Sequence, residues 1–127
     1  MDEMVTSTAA LLSRRQKREL LLLHVIEVSH EQPLETSNEH AVVQADAVLA
    51  AAEEYVRDRR VKAATEVCQA RAASTAIISA ALRHGAASIV IGAHRFLGQH
   101  DCDLGFTATH VLRHATMPVT VCYHPVR

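Results

Sequence analysis

The segment Arg18–Val28, RELLLLHVIEV, sets the strongest limit on how this chain can fold. Its apolar residues run almost without a break, so it has neither the polar face of a surface helix nor the alternation of a half-solvated strand. A run of this length suits a strand covered on both faces, the arrangement found in parallel sheets. A parallel neighbour requires a crossover, and the crossover is usually a helix. Charged RRQKRE precedes the run, and SHEQPLETSNE after it is loop-like.

The rest of the chain fits that demand. Thr36 and Glu39 have capping-box spacing and predict a helix running to about Arg60. Val42, Ala45, Leu49, Ala52 and Val56 step by threes and fours along its buried face, with Asp46, Glu53 and Arg57 on the opposite side. Val61–Gln69 alternates as a strand. A helix is expected over Ser74–His84, with Ile77, Ile78, Ala81 and Leu82 on its apolar side and Gly85 as a left-handed stop. SIVIG, Ser88–Gly92, is a short buried strand. Gly105–Ala115 is expected as a helix with Val111 and Leu112 inward, and MPVTVCYH, starting at Met117, closes the chain as a strand. Strands alternating with helices predict an α/β layered fold with an open, mostly parallel sheet. Residues 1–127 are expected to form one domain, with 1–18 as a short helix or poorly ordered start and 19–127 as the core. The first strand of such a sheet is missing, because MVTSTAALLSRRQKR offers at most a short helix.

Composition narrows the function classes. Thirteen Lys+Arg against fourteen Asp+Glu give a net charge of −1, which argues against a general nucleic-acid or membrane-surface binder. Two Phe, two Tyr and no Trp leave little for base stacking. No apolar run reaches the ~20 residues of a membrane helix. Three cysteines, Cys68, Cys102 and Cys122, form no paired motif and suit a reducing compartment, so a cytoplasmic location is expected.

No catalytic set emerges. Ser7, Ser13 and Ser74 lack a nucleophile-elbow context, and Glu53 and Glu54 read as a solvated helix face. His110 and His114 stand four apart on a predicted helix, downstream of His94, His100, Asp101, Cys102 and Asp103. Two helical histidines do not close a tetrahedral shell, and no metal site is expected. Cys102 beside His100 is a loop thiol that an imidazole could activate. Nine histidines allow the net charge to change near pH ~6.5.

The segment from Ile89 to Tyr123 has the outline of a phosphate-holding loop: a strand, a glycine, a polar loop, a second glycine and a helix. Ligands of open parallel sheets bind beyond the carboxyl ends of the strands, and helix N-termini favour anions. The order LLLHVIEV, ASIVIGAHR, nine residues, then GFTATHVLRHATMPVTV resembles the universal stress protein family from about Leu20 to Tyr123. The resemblance implies a Rossmann-like layered fold of the adenine nucleotide alpha hydrolase type, with five parallel strands and flanking helices. It also implies a regulatory or stress-response role and a homodimer joined through the last strand, here Val119, Val121 and Tyr123.

The family's nucleotide-binding members carry Gly, two residues, Gly, nine residues, then Gly followed by Ser or Thr. Here Gly92 matches the first glycine, Ala93 and His94 fill the interval, Arg95 replaces the second glycine, and nine residues separate it from Gly105. Phe106 holds the Ser/Thr place, with Thr107 one residue late. Arg95 disfavours close backbone approach but offers a guanidinium, and the Phe106 ring is expected to fill the anion site. Asp101 and Asp103 add negative charge near the helix start. ATP binding is therefore expected to be weak or absent, no cofactor is required, and any ATPase activity would be slow. A functional ATP site built on Arg95 and the Gly105 helix N-terminus is the alternative. A further one is a regulatory domain cut from a transporter or sensor protein. The first-strand aspartate loop of the family has no counterpart, which implies a truncated chain, a misplaced start or a fragment.

Overall fold

The computed structural model describes residues 2–34, 38–94 and 105–124, apart from the side chains of His94 and His124. Helices and strands alternate after an initial helix: α1 Glu3–Gln16, β1 Leu20–Glu27, α2 Glu39–Arg57, β2 Ala63–Ala70, α3 Ala73–Arg83, β3 Ile89–His94, α4 Phe106–His114 and β4 Val119–His124. The chain divides into two compact units, Met1–Ala73 and Ser74–Arg127.

In the first unit, Asp2 starts α1: its carboxylate accepts from the Met4 amide at 2.8 Å and the Val5 amide at 3.4 Å. This satisfies two of the N–H groups a helix start leaves open. Lys17 ends the helix in the left-handed region, φ 53°, and the Arg18 amide reaches back to the Ser13 carbonyl at 3.1 Å. That is the Schellman pattern, made here without glycine. β1 and β2 pair in parallel from Leu20 opposite Ala63 to Glu27 opposite Ala70. The crossover between them is α2, which begins at Glu39 with Asn38 as its cap, the Asn38 side-chain oxygen accepting from the Ala41 amide at 3.3 Å. Thr36, the expected cap, lies outside the described residues.

The stripe read from the sequence is the stripe that packs. Ala45, Leu49, Ala52 and Val56 are buried. Leu49, Ala52 and Val56 form one cluster with Ala10 of α1, Leu22 of β1 and Val61. Two helices therefore share one core against the β1–β2 pair. Glu53 and Arg57 form an i,i+4 ion pair at 3.0 Å on the outer side of α2.

The second unit repeats the strand–helix–strand plan. β3 and β4 pair in parallel from Ile89 opposite Val119 to His94 opposite His124, with α4 between them in sequence. Ala81, Ile89 and Val111 form the buried cluster, joined by half-buried Ile77, Ile78, Ile91 and Val119. Gly85, with φ 62°, stops the turn after α3 as expected. Leu82 and Leu112 were expected inward but are exposed. Each follows directly after a buried residue, Ala81 or Val111, and the 100° step to the next helical position carries it out of the core.

Strand pairing among the described residues forms two parallel pairs, β1–β2 in the first unit and β3–β4 in the second. Each pair joins strands consecutive in sequence through one crossover, the most local parallel pairing a chain can make. No strand precedes α1 among the described residues.

Candidate anion site at the carboxyl end of β3

β3 supplies the first residues singled out in the sequence. Gly92 is exposed and pairs with Cys122, while Ala93 is buried and pairs with Tyr123. His94 ends the strand opposite His124. Arg95 and the nine residues after it, with His100, Asp101, Cys102 and Asp103, lie outside the described residues.

The chain is described again at Gly105, whose φ of 83° and ψ of 166° place it at the start of α4. A side chain is strained at this backbone position, so glycine is the residue that fits. Gly105 accepts the Thr109 amide at 3.1 Å, closing the first turn. No acidic residue stands in the first turn of α4. Contrast α1, where the Asp2 carboxylate occupies the equivalent position. A first turn that contains no acid of its own leaves the positive end of the helix dipole favourable to an anion.

Phe106 departs from its expected role. Its side chain is 74% exposed and does not fill the helix start. The ring stacks on His110, one turn on, with centroids 5.7 Å apart and planes 25° from parallel. The first helical position lies at the rim of the turn, and the i,i+4 partner draws the ring along the outside of the helix. Thr107 is half-buried in the same turn and keeps a hydroxyl near the helix start.

The His110 and His114 rings are tilted against each other with centroids 4.3 Å apart. Among the described residues no group of three His, Cys, Asp or Glu side chains is placed to hold a metal ion. Cys68 and Cys122 are free thiols, half-buried and buried respectively. In β4, Val119 and Val121 are half-buried and Tyr123 is exposed. Among the described residues only β3 pairs with this strand.

Arg71, just beyond β2, has a structural role that the sequence reading missed. Its guanidinium donates to the Gln32 carbonyl at 2.6 Å and also to the Ser29 carbonyl, and neighbouring Gln69 donates to the Leu34 carbonyl at 2.8 Å. These bonds span about 35–42 residues of sequence and tie down the loop leaving β1. No local motif signals them.

Parallel strands joined by helical crossovers define an α/β layered class of protein. The universal stress protein family model matches residues 2–122, and the chain belongs to that family. The match takes in α1, further toward the N-terminus than the resemblance read from Leu20 onward. The structure of a universal stress protein from Archaeoglobus fulgidus in complex with dAMP is similar at a TM-score of 0.73 and 19% identity, over 92% of this chain and 83% of that one. A structure of universal stress protein from the same organism gives 0.76 and 19%, over 94% and 82%. A family member from Burkholderia pseudomallei gives 0.66 and 22%, over 94% and 84%. At these identities the structures establish a shared fold. No curated protein sequence matches significantly. No described helix is long and apolar enough to cross a membrane.

Proposed function

We propose that this universal stress protein is a non-catalytic, dimeric regulatory module that binds adenine nucleotide weakly, with phosphate at the start of α4. The observation that carries the reading is the helix start itself: Gly105 in a glycine-favoured conformation, no acid in the first turn, and a Phe106 ring turned to solvent. The complex of the Archaeoglobus fulgidus protein with dAMP supports an adenine nucleotide as the ligand class. Arg95, in the place of a loop glycine, limits close backbone approach, so the affinity is modest. Its guanidinium provides a phosphate contact in exchange. Calorimetric titration of the folded chain with ATP, with and without magnesium, tests this. Saturable binding between micromolar and millimolar is expected, and no heat up to millimolar ATP would refute it.

Dimerisation is proposed through β4. Among the described residues no strand pairs with its second edge, and Val119, Val121 and Tyr123 lie along it. Val121→Pro removes an amide donor from that strand and should shift the chain from dimer to monomer in sedimentation velocity. A wild-type chain that is monomeric at all accessible concentrations would contradict this part of the reading.

A further inference from the structure

The net charge of −1 conceals a strong segregation of charge within the Met1–Ala73 unit. Arg14, Arg15, Lys17 and Arg18 end α1 and lead into β1. Arg57, Arg59, Arg60 and Lys62 end α2 and lead into β2. The two groups meet, because β1 and β2 start side by side: the Leu20 amide donates to the Lys62 carbonyl at 3.1 Å. Eight of the thirteen Lys+Arg therefore crowd one end of the unit, all exposed. Four carboxylates in the same segments, Glu19, Glu53, Glu54 and Asp58, leave an excess of four positive charges.

Cations at helix C-termini are ordinarily explained by the helix dipole. Each helix end offers about half an elementary charge, so two ends account for about one of these cations. Internal pairing explains few of the others. Arg57 pairs with Glu53 at 3.0 Å, Lys62 with Glu19 at 3.3 Å, and Arg59 lies 3.5 Å over the Tyr55 ring. The side chains of Arg14, Arg15, Lys17, Arg18 and Arg60 have no ion pair or hydrogen bond with described residues. Three of the cations, Arg57, Arg60 and Lys62, also line an open cavity of about 380 Å³ at this end.

We infer that this end of the unit docks on an anionic lipid surface, its arginines and lysines contacting headgroup phosphates. Two observations favour a bilayer over a nucleic acid. The cations cap the ends of two helices and two strands, so no basic helix flank is presented to a groove. The aromatic ring at this end, Tyr55, is half-buried beneath Arg59 and offers no stacking platform. The outer stripe of α1 also has an apolar side chain near this end. Leu11 is 52% exposed and falls on the stripe that ends at Arg15, one turn before it and opposite the buried Thr6, Ala9, Ala10 and Ser13. Apolar and basic residues combined on a helix face suit adsorption at a headgroup layer without spanning it.

The test is co-sedimentation of the full chain with phosphatidylcholine vesicles, with and without about 30% phosphatidylserine, a composition that gives an anionic surface. Binding is expected only to the anionic vesicles, and should be lost in about 0.5 M salt, where the Debye length is only a few ångströms. R15Q/R18Q should bind about 30-fold more weakly, at about fivefold per cation near the surface. R83Q/R113Q, the same charge change in the other unit, should bind as the wild type does. If circular dichroism shows R15Q/R18Q to be unfolded, K17Q/R60Q takes its place with the same expectation. Failure of the folded wild type to bind would overturn the inference. So would equal binding to neutral vesicles, equal loss in R83Q/R113Q, or retention on duplex DNA in place of vesicles.

Discussion

Phe106→Glu should lower ATP affinity about tenfold or more while leaving the fold intact or slightly more stable. The two effects have opposite signs because both arise from one charge at the start of α4. Phe106 is 74% exposed and its packing is limited to the outward stack on His110, so its removal opens no cavity. A carboxylate in the first turn favours the helix by about 0.3–1 kcal/mol. Against a bound phosphate, the same charge about 4 Å away costs about 1 kcal/mol in bulk water and about 4 kcal/mol at an effective dielectric of 20. Calorimetric titration reports the affinity, and thermal denaturation reports the stability. Unchanged affinity in a stabilised variant would place the phosphate elsewhere.

Leu49→Ala should destabilise the chain by about 2–5 kcal/mol and lower Tm by on the order of 10 °C. Leu49 is 3% exposed and sits where α1, α2 and β1 meet, against Ala10, Leu22, Ala52, Val56 and Val61. Two of those neighbours are alanines, whose short side chains cannot move into the space a leucine leaves. The removed methyl groups lose both their transfer free energy and their contacts. Leu11→Ala is the matched control: it removes the same atoms from a half-exposed position on the outer face of α1, and should change stability by about 0.5 kcal/mol or less. Equal effects of the two substitutions in denaturant or thermal unfolding would contradict the packing described for the first unit.

What could be read from the sequence depended on how local its cause is. The unbroken apolar run became β1, and the i, i+3, i+4 stripe of α2 became its buried face, because both follow from periodicity alone. Gly85 and Gly105 were legible because both hold positive φ angles that side chains resist. Leu82 and Leu112 were not, because an apolar residue beside a buried one can fall on either side of the core boundary. The start of α2 was read from the capping-box spacing of Thr36 and Glu39, whereas the cap is Asn38, whose side-chain oxygen accepts the Ala41 amide. The outward turn of Phe106 depends on its ring partner His110, and the role of Arg71 on carbonyls about 39–42 residues away. The basic end of the first unit was invisible to net charge. Its two halves lie about forty residues apart and are brought together only by the parallel register of β1 and β2.

The most direct test of the nucleotide reading is the amide spectrum of the isotopically labelled chain during titration with ATP. Phosphate at the start of α4 should move the Phe106, Thr107 and Ala108 amides progressively, while Met4 and Val5, whose amides are already held by the Asp2 carboxylate, stay in place. Saturating shifts confined to the α4 turn and the end of β3 are the predicted result. Shifts elsewhere with the α4 turn unmoved, or no shifts at millimolar ATP, would contradict it.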